Sequence, residues 1–551
     1  MSNAISKRLH APILLLACTL VPLVLLCSAC GSTGSGANKN AQSAPDTSKY
    51  LVAIEEEPDT VDFHRTTIHY TIAINVFNRL VETELDRGGS VSIVPSLAES
   101  WEESDDGTVY TFHLRKGVTF SNGSPLTSSD VLYSFTRLLT HPDSCNQDIV
   151  LIIKGAEDLA AGKTDKLEGF EIQSDLDFAI TLEEPFEAFL ACLSMPGASI
   201  MDEETTEAAG SNFGTDVSSA IGTGPYILTS WEPGKGMLLA ANKDCWAGAP
   251  HNEGLDLRFT TEPEEIRSLF ENGELDILDL DDQGSSAEFF IHGDIYQDRI
   301  HEVPQVGTSY IALNESVAPL NDARVRKALQ LALDRNTLLE AVYSGRGVVV
   351  NGIYSYGLYG YNPDLPVIPF DTSAAKELLR EAGYENGFDL EFSVKSSSTQ
   401  WEMLLAEHAT KMWEAIGVHA KVKVIDESDF MKQRKAGQLA CYTATWIADY
   451  DDPDNYIYTF FGNRENTTFR SLCYSNEEIM ERVRKARGIT DHDKRLREYQ
   501  ELEEIIVQQD AAWVPLFSRT RPYVTSERLE GFTYAWNGSV KNVYREMSIK
   551  E

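Results

Sequence analysis

Between Asn321 and Val424 the chain repeats one pattern: helical spacing, a closing glycine, then alternating apolar residues. Asn321 is placed to cap a helix running through Leu333, and Asp334 to cap a second that ends at Ser344-Gly345. Thr372/Ser373 to Ala382 reads as a helix closed by Gly383, followed by a strand from Leu390 to Val394. Glu402 to Ile416 is amphipathic and closed by Gly417; beyond it Val418, Ala420, Val422 and Val424 alternate with His419, Lys421 and Lys423. Repeated in this way, helix and strand specify an α/β layer with crossover connections. The 551 residues are too many for one ordinary core, so the layer is expected to be one of two or three domains.

The formal net charge of −38 excludes nucleic acid as a partner, since phosphates would be repelled, and favours cationic over anionic ligands at long range. The acidity does not signify disorder, because 42% of residues are hydrophobic. At the N-terminus Lys7 and Arg8 precede an apolar run from Ala11 to Leu26 and then Cys27-Ser28-Ala29-Cys30. This is a secretory signal rather than a membrane span. Ser28-Ala29-Cys30 resembles the bacterial lipobox, with Cys27 where leucine is usual. The resemblance implies a signal peptide over 1–29, lipidation at Cys30 and a flexible tether over 30–49; the alternative is an ordinary cleaved or uncleaved signal anchor. Cys145, Cys192, Cys245, Cys441 and Cys473 remain, an odd number without zinc spacing. An oxidising exterior permits a bridge such as Cys145–Cys192 or Cys441–Cys473, between which the sequence does not choose.

In chain order, Tyr50 to Ile54 is a strand stopped by Glu55-Glu56-Glu57-Pro58, and Thr71 to Val81 has helical spacing. Ser104-Asp105-Asp106-Gly107 turns into a strand in which Tyr110, Phe112 and Leu114 face one way. Thr127-x-x-Asp130 can cap the helix that follows, hairpin pieces surround Phe170 to Leu182, and Glu187 to Leu193 reads as a helix. Late in the chain, the strand from Leu439 to Thr445 enters the aromatic, acidic turn Trp446-Ile447-Ala448-Asp449-Tyr450-x-Asp452-Pro453. A carboxylate beside Trp446 and Tyr450 can pair with a cationic group in a partly desolvated pocket.

That W-x-A-D-Y-x-D-P run resembles the signature of the oligopeptide- and dipeptide-binding proteins that serve bacterial ABC importers, the solute-binding proteins of family 5. P-S-L-A-E-S-W from Pro95 and T-F-H-L-R-K-G-V-x-F-S-N-G-x-P-L-T-x-x-D-V from Thr111 resemble the family's long signature. Ile221-Gly222-Thr223-Gly224-Pro225-Tyr226 and Asn321-Asp322-x-Arg324-Val325-Arg326 resemble two further motifs. The resemblance implies an α/β, two-lobed, three-domain fold of the type II periplasmic-binding-protein kind, with a hinge. The first domain would comprise 50–81, 208–306 and 520–551, the second 82–207 and the third 307–519. The implied function is capture of peptides for an ABC permease with cytoplasmic ATPases, by a lipid-anchored monomer without cofactor. The family also contains binders of nickel or metal chelates and of oligosaccharides, and a surface peptide receptor or adhesin would use the same fold.

By the family's arrangement Asp449 takes the peptide's α-amino group, with Thr445, Trp446 and Ile447 beside the peptide backbone. His69, Tyr70 and Thr71 would lie near the ligand, although His69 reads equally as a solvated loop histidine. Glu427 and Arg434 would border side-chain pockets, or else be solvated charges on an amphipathic helix. Enzyme motifs are missing: Gly162-Lys163-Thr164 lacks the first glycine of a phosphate loop, and no H-E-x-x-H occurs. Asp449-x-Asp451 and Asp279-x-Asp281 hint at calcium loops, but phenylalanine stands where each needs its bidentate glutamate, at Phe460 and Phe290.

Overall fold

In the computed structural model, residues 47–86, 89–281 and 285–550 are described. The signal sequence, Cys30 and nearly all of the tether lie outside the described residues. The helix–glycine–strand region forms as its caps dictate, with one shift of position. Asp322, not Asn321, caps the helix Ala323–Leu331, because it is the Asp322 carboxylate that accepts the Arg324 N–H (2.9 Å). Asp334 caps Arg335–Tyr343, and Asp371 caps Thr372–Glu381. Thr399 and Glu402 form a capping box on Gln400–Glu414. Strands Phe388–Lys395 and Val418–Ile425 pair in parallel along all eight residues, with the helix Gln400–Glu414 crossing between them. Gly417 turns the chain at φ +84°, and Gly387 lies so close to it that a Cβ would stand 1.8 Å from the Gly417 carbonyl oxygen.

These strands are one end of a twelve-stranded mixed sheet. Cys441–Ile447 lies antiparallel to Gly307–Leu313, and the sheet passes through Val514–Thr525 to Ile277–Asp279, Leu51–Ile54 and Gly254–Arg258. Val514–Thr525 serves both halves. Residues 514–519 pair with Gly307–Leu313 and Gly347–Val349, whereas 520–525 pair with Ile277–Asp279 and Ile300–Pro304. At the changeover the Gln305 N–H donates to the Arg519 carbonyl (3.0 Å), and Arg519 Nε donates to Gln305 Oε1 (2.7 Å).

A separate four-stranded sheet contains Ala98–Glu103, Val109–Leu114, Phe170–Ile172 and Asp177–Thr181. Val109–Leu114 buries every second residue, and Thr127 with Asp130 boxes the start of Ser128–Thr140. Buried side chains collect into distinct cores. One is built from residues 306–517 with Trp536, and one from 80–200; a third joins 51–77 to 201–257, Ile277, Val303 and 523–547.

Three helices are shorter than their periodicity suggests, and the one expected to run through Leu333 ends at Leu331. The one expected from Thr71 to Val81 stops at Val76, where the Gly224 N–H takes the Val76 carbonyl (2.8 Å) and the chain extends at Phe77 toward strand Val81–Leu85. The helix expected from Glu187 begins at Phe189. Neither permitted disulfide forms, because the partners sit in different environments. Cys192 is buried in the 80–200 core while Cys145 is exposed; Cys441 is buried in the 306–517 core while the Cys473 thiol rests on the Gly437 carbonyl.

Candidate ligand-binding site

Strand Cys441–Ile447 leaves the sheet at Ile447, and the Ala448 N–H closes on the Val306 carbonyl (2.9 Å). The acids that follow divide into structural groups and one free group. Asp452 is buried and forked by Arg495 through two bonds of 2.8 and 2.7 Å. Asp454, the first residue of helix Asp454–Phe461, accepts the hydroxyls of Tyr499 (3.0 Å) and Tyr450 (3.1 Å) and pairs with Arg487 at 3.2 Å. Asp451 accepts the Tyr359 N–H (2.7 Å). The turn is therefore fixed from behind, and Asp449 is left facing outward.

Asn455 orients it. Its Oδ1 accepts both the Asp449 N–H (3.1 Å) and the Trp446 indole N–H (3.0 Å), and its Nδ2 donates to Asp449 Oδ2 (3.2 Å). The Asp449 carboxylate lines a cavity of about 260 Å³, open to solvent yet ringed by protein. That desolvation raises its pKa to about 6; the Asn455 bond and Arg470 oppose the shift, and Asp148 adds to it. Among the described residues no Lys, Arg or His nitrogen lies within 4.0 Å of it.

His69, Tyr70 and Thr71 line the same cavity. His69 holds the left-handed backbone region at φ +58°. The Tyr70 hydroxyl donates to the Thr66 carbonyl (2.8 Å), and burial raises its pKa, with Asp449 contributing. Thr71 Oγ1 donates to Glu55 (2.6 Å), a buried carboxylate paired with Lys541 at 2.7 Å. An adjoining cavity of about 500 Å³ shares Glu55 and Lys541 and is lined by Ile447.

A profile of the bacterial extracellular solute-binding proteins, family 5, middle region, matches residues 92–468, more than half of the chain. The chain belongs to this family. This family 5 protein is 28% identical to heme-binding protein A of Haemophilus influenzae over 536 residues, covering 93% of this chain and 95% of the relative. It is 27% identical to the dipeptide-binding protein of Escherichia coli, covering 82% and 85%. Among solved structures, the ABC transporter-associated periplasmic binding protein DppA of Helicobacter pylori, in complex with the peptide STSA, superposes with a TM-score of 0.73 at 23% identity. That match covers 91% of this chain and 98% of the other. The family 5 protein therefore has the α/β, type II periplasmic-binding-protein fold, and it is an extracytoplasmic solute-binding protein rather than an enzyme.

Of the residues singled out in the sequence, the family 5 protein brings Asp449, Ile447, His69, Tyr70 and Thr71 to the cavity walls, with Trp446 packed behind Asp449. Thr445 turns its hydroxyl to Ser309 (2.8 Å) instead. Glu427 is exposed on the first turn of helix Glu427–Lys435, and Arg434 is half-buried near that helix's end; neither lines these cavities. Among the described residues no cluster suits a metal ion. Asp281 pairs with Arg519 and Asp279 with Arg521, which uses two of the hinted calcium ligands as ion pairs. Asn455, Glu55 and Lys541 escaped sequence reasoning, and only Asn455 left a local trace, six residues beyond Asp449.

Proposed function

We propose that this family 5 protein captures peptides by their free amino end at Asp449 and delivers them to an ABC import permease. The observation that carries this reading is a cavity-wall carboxylate, oriented by Asn455, that has no Lys, Arg or His nitrogen within 4.0 Å among the described residues. The names of the Escherichia coli and Helicobacter pylori relatives support a peptide ligand. A second reading, a heme or metal-chelate ligand, is favoured by the heme-binding relative. Native mass spectrometry of protein purified without denaturation separates the two: peptide masses are expected, and a bound tetrapyrrole or chelate would overturn the peptide reading.

Capture by Asp449 should depend on pH with a definite sign. Docking an ammonium requires the ionised carboxylate, so with a pKa of about 6 affinity should fall by up to about tenfold per unit as pH drops below 6. Above about pH 8 the peptide's own α-amino group loses its charge and affinity should fall again. Calorimetric titration from pH 5 to 9 is expected to give this bell; a flat profile would count against Asp449 as the anchor.

We further infer a hinge between a lobe of residues 50–306 with 520–551, which includes the 82–207 insertion, and a lobe of residues 307–519. The shared strand Val514–Thr525 and the Gln305–Arg519 contacts support it, since both chain crossings lie side by side there. Small-angle scattering should show the radius of gyration falling on ligand addition, and an unchanged profile at saturation would contradict closure. Anchorage by acylated Cys30 is proposed from Ser28-Ala29-Cys30 alone. Cys30→Ser should abolish incorporation of labelled fatty acid; undiminished labelling would refute the anchor.

A further inference from the structure

We propose that the contact between residues 185–187 and residues 487–490 is a latch between the two lobes, one that sets ligand affinity without touching the ligand. The inference rests on the proposed closure of the lobes and is independent of the ligand's class. Pro185, Phe186 and Glu187 belong to the 82–207 insertion, whereas Arg487, Gly488 and Thr490 follow helix Glu477–Ala486 in the other lobe. The Glu187 N–H donates to the Arg487 carbonyl (3.3 Å). The Arg487 guanidinium lies over a ring from each lobe, 4.3 Å from the Phe186 centroid and 3.9 Å from that of Tyr458. Asp454 pairs with that guanidinium at 3.2 Å, so Phe186 meets a cation already fixed to the 307–519 lobe. Gly488 comes so near that a Cβ would stand 3.2 Å from the Pro185 carbonyl oxygen, and a Cβ on Gly107 would stand 3.1 Å from the Thr490 methyl.

The latch and the ligand site share one turn. Tyr450, next to Asp449, packs against the 80–200 core of the opposite lobe, and its hydroxyl donates to the Asp454 carboxylate that pairs with Arg487. Among the described residues lining the Asp449 cavity, Asp449 alone comes from 307–519; Glu55, His69, Arg79, Glu82 and Ser194 stand on the first lobe. The cavity is therefore complete only where the lobes meet. Each contact that favours their meeting raises the fraction of protein ready to hold a ligand, and that fraction multiplies the intrinsic affinity. The latch residues line neither cavity, so their effect on binding passes through closure.

Thr490 gives the sharpest test, because it is exposed and its charge can be varied in both directions. The Gly107 Cβ position that meets its methyl also lies 3.4 Å from Glu103 Oε1, so Thr490→Lys would set an opposite charge across the contact and Thr490→Glu a like one. Wild type, both variants and Phe186→Leu are compared by small-angle scattering without ligand, and each is titrated calorimetrically with Ala-Ala-Ala. Thr490→Lys should bind about 2- to 5-fold tighter than wild type and Thr490→Glu weaker by a similar factor, both differences shrinking at high salt. Long-range attraction of a cationic ligand would give the reverse order. Phe186→Leu keeps an apolar side chain but removes the ring face, and should lose about 3- to 30-fold. Without ligand, the radius of gyration should be larger in Thr490→Glu and Phe186→Leu than in Thr490→Lys. Equal affinities and equal ligand-free radii would overturn the latch, while compaction on adding ligand would leave closure standing. Bound ligand without compaction would overturn closure and latch together. Failure of Ala-Ala-Ala to bind wild type would count against the peptide reading, and equal ligand-free radii would then suffice to overturn the latch.

Discussion

Replacing Asp449 by Asn is expected to weaken binding of a free-amino peptide by roughly 30- to several-thousand-fold, equivalent to about 2–5 kcal/mol. The size follows from the setting. The carboxylate stands on a cavity wall ringed by protein, and a ligand ammonium that lost its counter-charge there would be stranded out of bulk water. Asn keeps the shape and can still accept from Asn455, so the loss isolates the charge. Thermal stability should not fall. A carboxyl whose folded pKa is raised stabilises the fold below its unfolded value of 3.8, and that contribution is gone once pH rises through about 6. At neutral pH the uncharged amide therefore removes a small penalty. Calorimetry with a melting curve checks both points, and a variant that binds as wild type or melts much earlier would contradict the assignment.

Arg495→Met is expected to destabilise the protein by about 3–5 kcal/mol. Arg495 and Asp452 are both buried, and losing the guanidinium leaves the Asp452 carboxylate charged in the core without its two bonds. The loss should spread to function, because Asp452 anchors the turn between Asp449 and helix Asp454–Phe461. Adding Asp452→Asn to Arg495→Met should restore part of the stability, since no unpaired charge then remains. Denaturant unfolding of both variants measures this; a loss under about 1 kcal/mol for Arg495→Met would mean the pair does not hold the turn.

The features legible in the sequence are those whose causes lie within a few residues. Thr127 with Asp130, Asp334, and the turns at Gly383 and Gly417 all act over one helical turn, and each forms as expected. The alternation of Val109–Leu114 is likewise a local consequence of one buried face. What was not legible depends on distant segments. The helix from Thr71 stops early because Gly224, far along the chain, takes the carbonyl of Val76. Glu55 meets Lys541 across almost the whole sequence.

The acidic run illustrates both sides of this division. Its W-x-A-D-Y-x-D-P pattern falls at the candidate site, but only the distant partners Arg487, Arg495 and Tyr499 reveal that Asp452 and Asp454 are held in structural contacts while Asp449, bonded to Asn455, lines the cavity. Glu427 and Arg434 were placed on the right helix, Glu427–Lys435, yet sequence spacing could not set which way that helix faces.

The most direct test of amine capture is a calorimetric cycle in which one peptide, free or N-acetylated, is titrated into wild type and Asp449→Asn. Acetylation removes the ammonium and the substitution removes its carboxylate partner, so each deletes the same contact. The predicted result is a large loss from either change alone and little further loss when both are combined. Equal binding of free and acetylated peptide by wild type would contradict the account.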